Sequence, residues 1–276
     1  MPMLMTLIIL AGIYCSWCRG FEGRGVFVMT AIITGATGDI GKEFVQALYE
    51  EVDSIWAVGR NEGKLLELKQ KIGKKVIPVR ANLADESDLK SLCEKIETEK
   101  PQIRYLINNA GIAKMGEFRE LSLDEIREIL RVNDDAATLL CRVAIPYMGP
   151  GSYILNIASA SAFQPNPYIS LYAASKAYLL SFTRAINREL KDVTCTAVCP
   201  GWVDTQMLPK EKNGKKIHYP GIVTPKKVVR VALKDCHYGK DVSICSPYYK
   251  YTRFYSKVIP HRIIMNQWLR IIKKYL

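Results

Sequence analysis

From Met29 onward, short β-branched and apolar runs alternate with longer stretches in which apolar positions recur every three or four residues. The runs AIIT (31–34), SIWAV (54–58), KVIPV (75–79), IRYLIN (103–108), SYILNI (152–157), VTCTAV (193–198) and DVSIC (241–245) read as strands. The patterns near 40–51, 61–72, 86–98, 122–147, 170–190 and 225–236 read as amphipathic helices. Strands that are apolar at nearly every position are those buried on both faces. Strands separated by helices connect by right-handed crossovers, so the pattern predicts one α/β domain over 29–250, a doubly wound parallel sheet with helices on both faces. No internal linker or repeat interrupts it.

Two segments fall outside this alternation. The first 18 residues are uncharged and apolar, which is borderline for a membrane span and lacks the basic start of a secretory signal. Residues 1–28 are read either as an N-terminal anchor or as sequence upstream of a true start at Met29. At the other end, 251–276 forms a basic tail. Over 261–276 a helical wheel gathers Ile264, Trp268, Ile271, Ile272 and Tyr275 on one side, with Arg262, Arg270, Lys273 and Lys274 on the other. Such a helix either lies on an anionic membrane surface or packs its stripe on the domain or a sister subunit.

Charge sharpens that contrast. The net charge is +12, yet 210–276 holds 16 Lys and Arg against Glu211, Asp235 and Asp241, or +13, so the remainder sums to −1. One basic face or tail is implied rather than a nucleic-acid coat, and no zinc-finger or aromatic RNA-binding spacing accompanies it. Of eight cysteines, only Cys15 and Cys18 form a C-x-x-C, with no second pair to build a metal site. Reduced thiols and a cytoplasmic setting, with a peripheral membrane contact left open, are expected.

The chemistry gathers at the carboxyl ends of the strands, where ligands of such sheets bind. After the first strand comes TGATGDIG, in which Thr34, Gly35, Thr37, Gly38, Asp39, Ile40 and Gly41 lie between strand and helix. Glycines there allow a tight turn and let backbone approach a pyrophosphate at the helix N-terminus, the Rossmann-type arrangement. After the second strand, Gly59 leaves room and Arg60 and Asn61 replace the acidic residue that would bind a ribose 2′-hydroxyl. Arg60 offers donors suited to a 2′-phosphate, so NADP(H) is preferred and NAD(H) is the alternative.

Tyr172 stands four residues before Lys176 in SLYAASKAYLLSF. With fifteen tyrosines in the chain, about one such spacing is expected by chance, so the pair alone carries little weight. Its surroundings decide. NNAG at 108–111, Asn133 in RVNDDA, Ser159 in ILNIASAS, YAASK at 172–176 and PGWVDT at 200–205 follow in order. In these motifs the chain resembles the short-chain dehydrogenase/reductase family, short single-domain branch, from about residue 30 to 245.

Spacing alone puts Tyr172 and Lys176 on one helical face, where the ammonium is expected to lower the phenol toward a useful pKa. The resemblance implies more. Tyr172 is the acid/base, Ser159 bonds the substrate oxygen, Asn133 anchors a water in a proton relay, and Lys176 holds the nicotinamide ribose. Asn82, Leu83, Asn109, Ala110, Gly111, Pro200, Gly201, Val203 and Thr205 join the cofactor site, and 206–224 forms a substrate-covering lid. Two departures stand out. Asp39 occupies a family glycine position, where it either caps the next helix or repels a diphosphate; Asn82 replaces a common Asp.

The reading is an NADP(H)-preferring enzyme acting on CH–OH groups, interconverting an alcohol with a ketone or aldehyde on a lipophilic small molecule, as a homo-oligomer (dimer or tetramer). An epimerase or dehydratase that recycles its cofactor, and a membrane-peripheral cofactor sensor, are the alternatives.

Overall fold

A computed structural model describes residues 28–272 apart from 207, 210, 213 and 214. The apolar segment 1–27 and residues 273–276 lie outside the described residues, and with them most of the N-terminal expectation. Seven strands form one parallel sheet: β1 (Met29–Thr34), β2 (Ser54–Gly59), β3 (Val76–Arg80), β4 (Gln102–Asn108), β5 (Ser152–Ile157), β6 (Val193–Val198) and β9 (Val242–Ser243). Their order is β3-β2-β1-β4-β5-β6-β9. The strand order reverses between β1 and β4, which opens a crevice at their carboxyl ends.

Helices α1 (Asp39–Leu48), α2 (Glu62–Ile72) and α7 (Pro225–His237) cover one face of the sheet. Phe44, Leu65 and Val228 bury there against Ile33 and Ile107. Helices α3 (Glu86–Glu99), α5 (Ala136–Ala144) and α6 (Ser170–Glu189) cover the other, through Leu92, Leu140 and Ile186 against Ile32 and Leu106. Alternate residues of one strand thus enter opposite cores, which is why Ala31–Ile33 of β1 and Tyr105–Ile107 of β4 are apolar without a break.

Three elements depart from the sequence pattern. The helix expected over 122–147 is α4 (Leu123–Leu130), one π turn at Arg131–Asp135 and α5. The last strand keeps only two of its five expected residues. The basic tail consists of two helices, α8 (Pro247–Val258) and α9 (His261–Ile272). Helix α8 begins inside the span assigned to the domain, and its Tyr249 is buried in the core.

Candidate active site

The turn after β1 is built by close approach. Gly35 has a φ of +61°, and a Cβ there would stand 3.0 Å from Ala110 Cα. A Cβ on Gly41 would sit 2.2 Å from the Gly35 carbonyl oxygen, so α1 can start this near the strand only with glycine there. The N-cap Gly38 makes no side-chain cap bond, leaving the positive end of α1 directed at the crevice. Asp39 is not the cap. It is the first helical residue, and its carboxylate accepts a 2.8 Å bond from the Gln206 backbone N–H, tying the turn to the start of the 206–224 loop. That loop is closed at its base by a Val203–Val223 bridge and carries a small hairpin of β7 (Glu211–Lys212) and β8 (Lys215–Lys216).

Asn109 donates to the Thr34 and Gly35 carbonyls, and the Thr34 hydroxyl accepts from the Asn109 and Ala110 N–H groups. These bonds stitch the segment after β4 to the glycine turn. Between them lies a cavity of about 280 Å³ lined by Gly35, Thr37, Gly38, Asp39, Ile40, Arg60, Asn82, Leu83, Asn109, Ala110, Gly111 and Thr205. Arg60 reaches it with an exposed, 3.6 Å ion pair to Glu128. Thr34 and Gly41 support this cavity from behind. Asn61 is turned to another task, capping α2 through a 2.9 Å bond from Lys64 N–H. A glycine-walled crevice at a helix N-terminus, with an Arg at the second strand, fits a dinucleotide.

Tyr172 lies in the first turn of α6. That helix is locked to the sheet by a buried polar ladder: Asn108 Nδ2 donates to Asn156 Oδ1 at 2.8 Å, and Asn156 Nδ2 to Thr183 Oγ1 at 2.8 Å. Asn156, paired in register with Asn108, is a positioning residue that the sequence motifs did not single out. The π turn delivers Asn133, whose amide donates to the Ile112 carbonyl and Ser175 Oγ and accepts from Ile112 N–H. Both its amide hydrogens are engaged by protein. Through these bonds Asn133 clamps Ile112 to α6.

Lys176 is buried and donates 2.8 Å to the Ile157 carbonyl. Its ammonium stands 3.1 Å from where a Gly111 Cβ would be and 5.6 Å from the Tyr172 ring centre. Burial holds Lys176 down to about 8, against the pull of the Asp134 carboxylate. Asp134 is itself pushed up to about 6 by burial. The Tyr172 phenol is raised, because burial outweighs the Ser159 hydrogen bond that lowers it. The expected lowering by Lys176 is not what this site produces, because burial is the largest influence on the phenol and raises it.

Tyr172 and Ser159 lie in the wall of a second cavity, of about 330 Å³. Ser159 Oγ accepts from Ser161 N–H at 3.1 Å and lies a long 3.5 Å from the Pro200 carbonyl oxygen, besides its hydrogen bond to Tyr172. Gly201 joins the same wall and lets the Tyr249 ring approach to where its Cβ would be. Trp202 of the PGWVDT segment joins it, and the rest comes from residues without a motif: Phe163, Tyr248, Tyr255, Ile264 and Trp268 among them. No lining residue is charged. Helix α9 forms part of this wall, fixed by buried Ile264 and Ile272 and by a 2.8 Å bond from Trp268 Nε1 to the Pro167 carbonyl. No group of three His, Cys, Asp or Glu side chains placed to hold a metal occurs among the described residues.

Fold and site define a dinucleotide-binding α/β protein with a polar–aromatic cavity beside its crevice. The short chain dehydrogenase family model matches residues 29–216, and the chain belongs to that family. It is 33% identical over 213 residues to the ketoacyl reductase HetN of Nostoc sp., covering 74% of each chain. It is 26% identical to a very-long-chain 3-oxoacyl-CoA reductase of Kluyveromyces lactis, over 89% of this chain and 72% of that one. A short-chain dehydrogenase from Sphingobium yanoikuyae, solved in complex with NADPH, superposes with a TM-score of 0.69 at 26% identity, over 79% and 87% of the two chains.

Proposed function

We propose that the protein reduces an uncharged, lipophilic ketone or aldehyde with NADPH, and oxidises the corresponding alcohol in reverse. One observation carries this reading. The glycine-walled crevice ends at Gly111, Lys176 lies under Gly111, and Tyr172 lies between Lys176 and the uncharged aromatic cavity. Crevice and cavity therefore serve one reacting centre. When bound, the reduced nicotinamide supplies the hydride.

The chain's own residues supply orientation and the proton. Ser159 donates a hydrogen bond to the carbonyl oxygen. Tyr172 donates a second and gives up its proton as that oxygen becomes an alkoxide. Burial keeps the phenol protonated at neutral pH, the form a carbonyl substrate needs. Lys176 remains cationic below about 8 and faces the crevice floor at Gly111, placed to hold the cofactor ribose. Arg60 supports NADP(H) over NAD(H), since its exposed pair with Glu128 is weak enough for a 2′-phosphate to replace. Exposed Leu130, Leu139 and Tyr178 support the expected homo-oligomer. Tyr172→Phe is expected to lower ketone reduction about a thousandfold while leaving NADPH affinity unchanged in a fluorescence titration. Full activity in that variant would remove Tyr172 from the reaction.

A further inference from the structure

Helix α9 buries Ile264 and Ile272 and half-buries Trp268, so three residues of the stripe expected to meet a membrane already pack on the domain. Ile271 is exposed, and Tyr275 lies outside the described residues. Helix α8 is the reverse. Its inner face holds Tyr249 and Ser256, while Tyr251, Phe254 and Val258 on its outer face are 63%, 64% and 59% exposed. Spacings of three and four place these three on one stripe, with the half-exposed Tyr248 at its edge. Lys250 and Lys257 are exposed beside the stripe, Arg253 is half-buried with its guanidinium 5.9 Å from the Phe163 ring centre, and exposed Arg262 and Arg270 follow on α9. No Asp or Glu occurs after Asp241.

Tyr248 and Ile271 are exposed and also line the uncharged cavity, and Tyr251 stacks on a further lining residue, Tyr255, at 5.9 Å. The cavity thus opens beside the aromatic stripe.

We infer that the outer face of α8 docks on an anionic lipid bilayer, with Tyr251, Phe254 and Val258 entering the headgroup–acyl boundary and the flanking cations meeting lipid phosphates. Aromatic and aliphatic side chains edged by Lys and Arg are the composition that such a boundary retains. A second copy fits less well, because a two-fold contact would set this acid-free surface against its own cations. Lipid binding stands apart from the proposed reaction.

The test is flotation of the full chain with phosphatidylcholine vesicles containing about 30% phosphatidylglycerol, against phosphatidylcholine alone. The wild type is expected to float with the anionic vesicles, and about tenfold less with neutral ones or at high salt. Tyr251→Ser/Phe254→Ser and, separately, Lys250→Glu/Lys257→Glu are each expected to lose at least about tenfold in partitioning, with unchanged thermal midpoint and gel-filtration volume. Equal flotation of variants and wild type, or no flotation of the wild type, overturns the inference. A variant that changes oligomeric state without changing flotation assigns the surface to a second copy instead. Ketone reduction by the same samples in vesicle-free buffer reads the proposed reaction separately.

Discussion

The crevice at the ends of β1 and β2 and the cavity beside Tyr172 are walled by different materials. Around the crevice the chain presents mostly backbone and short side chains: Gly35, Gly38, Ala110 and Gly111, drawn together by the Thr34 and Asn109 hydrogen bonds. Around the cavity it presents large side chains, from Phe163 and Trp202 to Tyr255 and Trp268. Where backbone meets backbone, at Gly35 and Gly41, the wall cannot adapt, because the close approach leaves no space for a Cβ. A side-chain wall can be repacked residue by residue, losing binding energy in steps. The crevice is thus built for one fixed ligand, and the cavity for a shape that substitution can change.

The strongest way to break this contrast is Gly41→Ala. Its Cβ would meet the Gly35 oxygen at 2.2 Å and Ala36 Cα at 2.8 Å, both backbone. We expect a loss of about 3 kcal/mol in urea unfolding together with loss of NADPH binding. Near-wild-type values for both would show that the backbone wall yields after all.

A smaller effect separates the two regions at their junction. Folding lowers Lys176 from an ordinary 10.5 to about 8. Between those values the unfolded chain binds more protons than the folded one, so this group makes stability rise with pH from about 8 toward 10.5. Lys176→Met removes that rise and relieves the burial of a charge. It is expected to stabilise the cofactor-free protein by about 2 kcal/mol at pH 7 while abolishing turnover. Urea titrations of both proteins at pH 7 and near pH 10 check it. A variant less stable than wild type at pH 7 would contradict the sign.

The mildest change falls on the cavity. Trp268→Ala removes one aromatic wall and its bond to the Pro167 carbonyl. It is expected to raise KM for bulky ketones about tenfold with NADPH affinity unchanged. Equal loss for both ligands would mean that α9 supports the whole fold rather than the cavity.

The same difference in materials explains what could be read in advance. Strands β1 to β6 stand within a residue or two of their expected limits, because a strand buried on both faces reads as a continuous apolar run. The crevice was legible because its backbone demands glycines at short, fixed spacings. The cavity was legible only in part: Ser159, Tyr172, Gly201 and Trp202 fall in motifs and Ile264, Trp268 and Ile271 in the tail's apolar stripe, but the other residues obey no local pattern that brings them together. The π turn at Arg131–Asp135 was hidden because apolar periodicity continues through it. Helix α8 was missed because its Tyr- and Phe-rich run, broken by Lys250, Arg253 and Lys257, has the composition of a strand or loop rather than of a helix. Asp39 and Asn61 show a third kind of gap, in which a position was recognised but its partner, Gln206 N–H or Lys64 N–H, could be found only in three dimensions.

The central claim is that crevice and cavity serve one reaction at Tyr172. Reduction of a panel of bulky ketones with NADPH deuterated at C4 tests it most directly. The account predicts alcohol carrying deuterium on the carbinol carbon, with one NADP formed for each alcohol. Product that lacks the label, or turnover without net consumption of NADPH, would contradict it.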